Sequence, residues 1–90
     1  NLPSGNEDIV IAISEDLRLA AMDVASKLRA SGRSVDLVLE DKRMKWAFRH
    51  AERTGAQRLV MVMPEEWAAG NVRIKDLESG EESDVDVGDL

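Results

Sequence analysis

Five basic residues lie within twelve positions near the middle of this 90-residue chain. They are Lys42, Arg43, Lys45, Arg49 and Arg53. Spacings of three, four and four residues place four of them on one face of a helix, with Arg43 adding to its amino-terminal end. Such a concentration is what a surface that contacts nucleic-acid phosphates requires. A solvated helix face, with charges paired to Glu40, Asp41 or Glu52, would show the same pattern, so both interpretations stay open.

One aromatic side chain and a second pair of cations extend this hypothesis. Trp46 falls on the basic side of the predicted helix, where an indole could stack on an unpaired base. Packing against a neighbouring domain explains Trp46 equally well. Arg73 and Lys75 occupy alternate positions of a strand-like segment, so we expect their side chains on the same face.

The overall charge limits what such a surface can do alone. The formal net charge is −6, whereas a domain that binds nucleic acid by itself usually has a basic balance. Any phosphate contact therefore depends on the few positive charges being gathered in one place.

Catalytic chemistry finds little support in the sequence. There is no cysteine, and the single histidine, His50, lies in mid-helix without a nucleophile nearby. Its simpler interpretation is a partly exposed residue beside the apolar stripe. Ser14 and the two acidic residues after it are typical of a helix start, and no phosphate-cradling glycine pattern follows the first strand. We expect no catalytic residue, no metal ion and no cofactor in this domain.

The elements that position these residues follow from hydropathy. Unbroken apolar runs predict buried parallel strands at 9–13, 35–39 and 59–63. Amphipathic helices are predicted between them, capped by Ser14 and Asp41 and ended by Gly32 and Gly55. One helical turn at 65–69 ends at Gly70, and an alternating hairpin follows at 72–77 and 83–87. The prediction is an α/β fold with a five-stranded mixed sheet, in which three parallel strands and a C-terminal antiparallel hairpin are flanked by helices.

The ends of the chain and its location are predicted from composition. Residues 1–7 contain Pro3 and Gly5 without periodicity and are interpreted as a linker remnant, which leaves 8–90 as one domain. No signal-peptide pattern is present and no apolar run approaches the ~18 residues of a membrane span, so the cytoplasm is the expected location.

Two segments resemble histidyl-tRNA synthetases. Residues 44–56, MKWAFRHAERTGA, resemble a stretch in which Leu-Lys precedes Gln, an aromatic-Ala-Asp-Lys run and Gly-Ala. Residues 66–81, EWAAGNVRIKDLESGE, resemble the pattern Glu-Leu-x-x-Gly-x-Val-x-Val-Lys-Asp-Leu-x-x-Gly-Glu. The resemblance extends from about Asp8 to the C-terminus and implies the three-layer fold of the class IIa anticodon-binding domain.

The resemblance also implies a function and a set of site residues. The domain would recognise the anticodon stem-loop of histidine tRNA for a catalytic domain on the same parent chain, a homodimeric cytoplasmic ligase that uses ATP and Mg. Carried over by position, the contacts would be Arg43, Lys45 and Arg49 on the second helix, Glu66 before the hairpin, and Lys75 on its first strand. Basic side chains would hold phosphates, and Glu66 could accept a hydrogen bond from a base amino group.

Three departures from the family pattern are visible. Ala47 stands where Gln is frequent, His50 where Tyr is usual, and Met63-Pro64 where a glycine-containing turn follows the third strand. These changes keep open an alternative, in which a synthetase-like copy with the same fold serves as a protein-interaction or regulatory module.

Overall fold

The computed structural model describes residues 7–38 and 44–90. Its strands are β1 (Asp8–Ala12), β2 (Val35–Val38), β3 (Arg58–Val62), β4 (Asn71–Asp76) and β5 (Glu82–Asp86). Its α-helices are α1 (Arg18–Ala30), α2 (Met44–Thr54) and α3 (Pro64–Ala68), and short 3₁₀ turns occupy Glu15–Leu17 and Val87–Asp89. Of the predicted linker at residues 1–7, residues 1–6 lie outside the described part.

The strands form one five-stranded sheet in the order β2-β1-β3-β4-β5. β1 is parallel to both β2 and β3, whereas β4 is antiparallel to β3 and β5 is antiparallel to β4. The predicted mixed sheet is therefore confirmed, with strand ends shifted by about one residue, as is usual for boundaries read from sequence.

Both faces of the central strands are covered. Ile9, Val10 and Ile11 are each 0% exposed, and successive side chains point to opposite faces. Val10 packs in a cluster that includes residues of α1, whereas Ile9 and Ile11 pack in a second cluster that includes residues of α2. The helices α1 and α2 therefore lie on opposite faces of the sheet, which makes three layers.

The same alternation continues into β4. Val72 and Ile74 belong to the cluster on the α1 side. Arg73 and Lys75, which alternate with them, must point to the other face, where α2 packs. The register of the sheet thus decides that the cations of the hairpin and those of α2 share one side of the molecule.

The start of the first helix differs from the prediction. Ser14 has extended backbone angles, and its hydroxyl makes no capping hydrogen bond; the Oγ atom is buried without a partner among the described residues. The Ser14 carbonyl instead accepts a hydrogen bond from the Leu17 N–H at 3.0 Å. Because a 3₁₀ turn forms first and buries Leu17, α1 begins only at Arg18. The hydroxyl cap predicted at Ser14 was wrong.

A buried carboxylate joins the amino ends of the parallel strands. Asp8 is 0% exposed and accepts two hydrogen bonds from each of Arg33 and Arg58, at 2.6 to 3.0 Å. Arg33 lies just before β2 and Arg58 opens β3, so the cluster ties three strands together. Burial opposes the charge on Asp8, but the hydrogen bonds from Arg58 and then Arg33 outweigh burial and hold the pKa of Asp8 below its ordinary value of 3.8.

Replacing Asp8 by Asn should lower the free energy of unfolding by about 3 kcal/mol at pH 7, because two guanidinium groups lose their shared charge partner. The pKa of Asp8 is lower in the folded protein than its ordinary value of 3.8. The Asp8 carboxylate therefore stabilises the folded state fully at pH values above 3.8, and this stabilisation is lost as the pH falls through the pKa of the folded state. The gap between the two proteins should therefore close in strong acid. Urea unfolding at a series of pH values measures this difference in the free energy of unfolding. Asp23→Asn, a substitution at an exposed helix position, is the control. A constant gap down to the lowest pH would contradict this assignment.

Candidate nucleic-acid interface

The exposed face of α2 carries three basic side chains. Lys45, Arg49 and Arg53 are all exposed and succeed one another by one helical turn. No carboxylate within residues 7–38 and 44–90 lies in salt-bridge distance of these three cations. Pairing with Glu52 is thereby excluded. The predicted Lys42 and Arg43 lie outside the described residues, as do the possible partners Glu40 and Asp41.

Trp46 and His50 lie one turn apart on α2 and are stacked. Their ring centroids are 4.7 Å apart with an angle of 9° between the planes. His50 Nε2 is 2.8 Å from Asp36 Oδ2 on β2, and Trp46 packs partly against the apolar cluster under α2. His50 is half-buried beside the apolar stripe, as predicted, but its carboxylate partner was not foreseen. Stacking of Trp46 on a base stays a prediction.

Phe48 connects α2 to the hairpin. Its half-buried ring packs against the α2-side core, and Lys75 Nζ of β4 lies 4.6 Å from the ring centroid. A cation held at this distance over an aromatic face is attracted by the ring electrons. Lys75 therefore places a positive charge directly beside the α2 face, as the alternation of β4 requires.

Arg73 lies on the same face but in different surroundings. Its Nε donates a hydrogen bond to Asp84 Oδ1 at 3.0 Å, while Glu66 and Glu82 lie 3.6 and 3.8 Å from its terminal nitrogens. The hydrogen bond to Asp84, together with the neighbouring negative charges, raises the pKa of Arg73 above its ordinary value. The structure thus brings Arg73 next to Glu66, but with carboxylates on three of its nitrogens.

The departure at Met63-Pro64 produces a helix. Met63 has extended backbone angles, Pro64 occupies the first helical turn, and the Trp67 N–H donates to the Met63 carbonyl at 2.8 Å. Proline fits there because its missing N–H would have no partner in a first turn. Trp67 packs against the α1-side core, and the Glu66 carboxylate reaches Arg73 on the α2 side.

The described residues can also be searched for a metal site and for a membrane-spanning helix. Within the described residues, no group of three or more His, Asp and Glu side chains is placed to hold a metal ion. The helices of the described part are all too short or too polar to cross a membrane.

Comparison with known proteins places this chain in a family. A family model described as anticodon binding domain matches residues 8–90. The chloroplastic/mitochondrial histidine–tRNA ligase of Arabidopsis thaliana is 50% identical over 84 residues, 93% of this chain and 17% of the relative. The histidine–tRNA ligase of Pyrococcus furiosus is 30% identical over 81 residues, 90% of this chain and 19% of the relative.

A solved structure agrees with both the fold and the sequence relatives. The histidyl-tRNA synthetase from a Nostoc species superposes with a TM-score of 0.92 at 28% identity, covering 100% of this chain and 22% of that one. The chain thus spans about a fifth of the length of the proteins it matches. Relatives that are ligases favour the tRNA interpretation over a repurposed regulatory module. The chain belongs to the anticodon binding domain family, in the form that histidyl-tRNA synthetases carry.

Proposed function

We propose that the α2 face, extended by Lys75 of β4, binds the anticodon stem-loop of a histidine tRNA. The observation that carries the proposal is the contact of Lys75 Nζ with the Phe48 ring at 4.6 Å, because it joins cations of two separate elements into one surface. In this proposal Lys45 and Arg49 contact phosphates, and Trp46 lies beside them as an aromatic ring on which a base stacks.

The distribution of charge supports this assignment in an acidic domain. Arg33 and Arg58 are engaged by the buried Asp8, and Arg73 by the carboxylates around it. Among the described residues on the α2 side of the sheet, Lys45, Arg49 and Arg53 therefore remain as cations without a carboxylate partner. Because exposed charges more than a Debye length apart, ~8–10 Å, are screened, local density matters more than the net charge of −6.

The wider assignments concern the whole parent protein. The relatives are named histidine–tRNA ligases, and we infer that the parent chain is such a ligase, with ATP and Mg bound by a catalytic domain outside this sequence. A homodimeric parent and a cytoplasmic location stay predictions, and one relative is chloroplastic/mitochondrial.

Replacing Lys45 and Arg49 by Ala should flatten the salt dependence of stem-loop binding. Log K falls as log salt rises, and each lost contact with a single-stranded phosphate reduces the magnitude of this negative slope by about 0.7. The 90-residue chain should bind weakly, with a Kd on the order of 10⁻⁴ M, so fluorescence or NMR titration at several salt concentrations is the suitable measurement.

Lys27→Ala is the matched control, and it is compared with the single substitution Lys45→Ala. Both lysines are exposed on helices, but Lys27 belongs to α1 on the opposite face of the sheet. Only the α2 substitution should reduce the slope. Equal slopes for wild type, Lys27→Ala and Lys45→Ala would remove the phosphate assignment.

A double-mutant cycle on Lys75 and Phe48 tests whether the two elements form one surface. Lys75→Met and Phe48→Leu each remove one partner with little change in volume. The coupling between them in urea unfolding should be about 0.5–1 kcal/mol, because the cation is partly exposed above the ring. Additive effects of the two substitutions would mean that the contact contributes nothing to holding α2 against β4.

A further inference from the structure

A cluster of one guanidinium and three carboxylates lies at the junction of α3, β4 and β5. Arg73 Nε donates to Asp84 Oδ1 at 3.0 Å, Arg73 Nη1 lies 3.8 Å from Glu82 Oε1, and Nη2 lies 3.6 Å from Glu66 Oε2. Each guanidinium nitrogen thus faces a different carboxylate. Only the contact with Asp84 is a hydrogen bond, so Asp84 fixes the plane of the guanidinium.

The charge of this cluster is unsuitable for holding a phosphate. Three carboxylates around one guanidinium leave a formal charge of −2, and Arg73 has no nitrogen that faces away from an acid. An approaching phosphate would meet repulsion here, whereas Lys45 and Arg49 on α2 have no carboxylate partner within residues 7–38 and 44–90. The two ends of the surface therefore differ in chemistry. The α2 end fits the RNA backbone, and the cluster does not.

Glu66 keeps the capacity to accept hydrogen bonds. Its side chain is 19% exposed, and its contact with Arg73, at 3.6 Å, is an ion pair without hydrogen-bond geometry. Within the described residues no donor hydrogen-bonds to its carboxylate. Unpaired bases present N–H donors on their Watson–Crick edges, and a carboxylate accepts from them.

We propose that Arg73 and Asp84 are positioning residues, which hold the Glu66 carboxylate for a base that donates N–H groups. This inference rests on the proposed function and changes the role of Arg73 from the phosphate contact expected from the sequence. Asp84, on the edge strand β5, orients Arg73, and Arg73 in turn holds Glu66. The edge strand thereby affects base recognition without touching the RNA.

Asp84→Ala tests the proposal against the phosphate alternative, because the two predict opposite signs. Glu81→Ala removes an equal charge from the neighbouring exposed turn and serves as reference. Relative to it, Asp84→Ala should weaken binding of a stem-loop with the histidine anticodon about fivefold, the lower range of a base contact. Binding of a stem-loop with another anticodon, and the salt slope for both RNAs, should not change.

A conservative variant and a folding control complete the experiment. Asp84→Glu keeps the negative charge and should retain most of the preference for the histidine anticodon over another anticodon. If Asp84→Ala lost this preference only because the sheet unfolds, the preference would not depend on charge in this way. Thermal unfolding of each variant checks that the sheet is intact. If Asp84→Ala tightens both RNAs and steepens the salt slope, Arg73 is a phosphate contact and the proposal is overturned. Unchanged discrimination in Asp84→Ala also overturns it. Failure of the unmodified chain to discriminate would instead refute the proposed function itself.

Discussion

Burial of β1 and β3 on both faces determines where the helices and the hairpin lie. Strands covered on both sides require a helix above and a helix below, so α1 and α2 are forced to opposite layers. Once that is fixed, pairing of β4 with β3 leaves no freedom in the hairpin. Val72 and Ile74 complete the α1-side core, and Arg73 and Lys75, which alternate with them, must share a face with α2. A one-residue slip of β4 would bury Arg73 and Lys75 among apolar residues. The candidate RNA surface is therefore a consequence of core packing, and its position is as stable as the core.

The charged residues of the sheet and of α2 fall into regions that differ in burial and in pairing. At the amino ends of the parallel strands, a fully buried carboxylate is compensated by two arginines, which accounts for positive charge that RNA cannot use. At the outer edge, β5 presents Glu82 and Asp84 opposite Lys75 and Arg73. Such an acidic edge also discourages pairing with another strand. Between these regions, α2 keeps Lys45 and Arg49 unpaired among the described residues. A domain with a net charge of −6 can thus still present basic side chains together on its α2 face.

The sequence predicted the architecture well because its signals are local. Buried strands read as unbroken apolar runs, and helices ended at glycines such as Gly55, whose φ of 72° other residues rarely adopt. The partners of charged residues could not be predicted, since they depend on register between distant segments. Asp8 meets Arg33 and Arg58 only after three strands align, and Asp36 meets His50 across two layers. The same holds within the hairpin: the predicted strands 72–77 and 83–87, paired end to end, would place Val87 rather than Asp84 opposite Arg73, so this pairing also depends on the actual register.

We propose that the α2 face and the adjoining α3–β4 segment recognise a stem-loop through its anticodon. The deciding experiment is titration of the ¹⁵N-labelled chain with a stem-loop carrying the histidine anticodon and with the same stem-loop carrying another anticodon. Amide shift changes should appear in α2 and around Glu66 and Lys75, with α1 unaffected, and those around Glu66 should require the histidine anticodon. Changes centred on α1, or identical changes with both RNAs, would contradict the account.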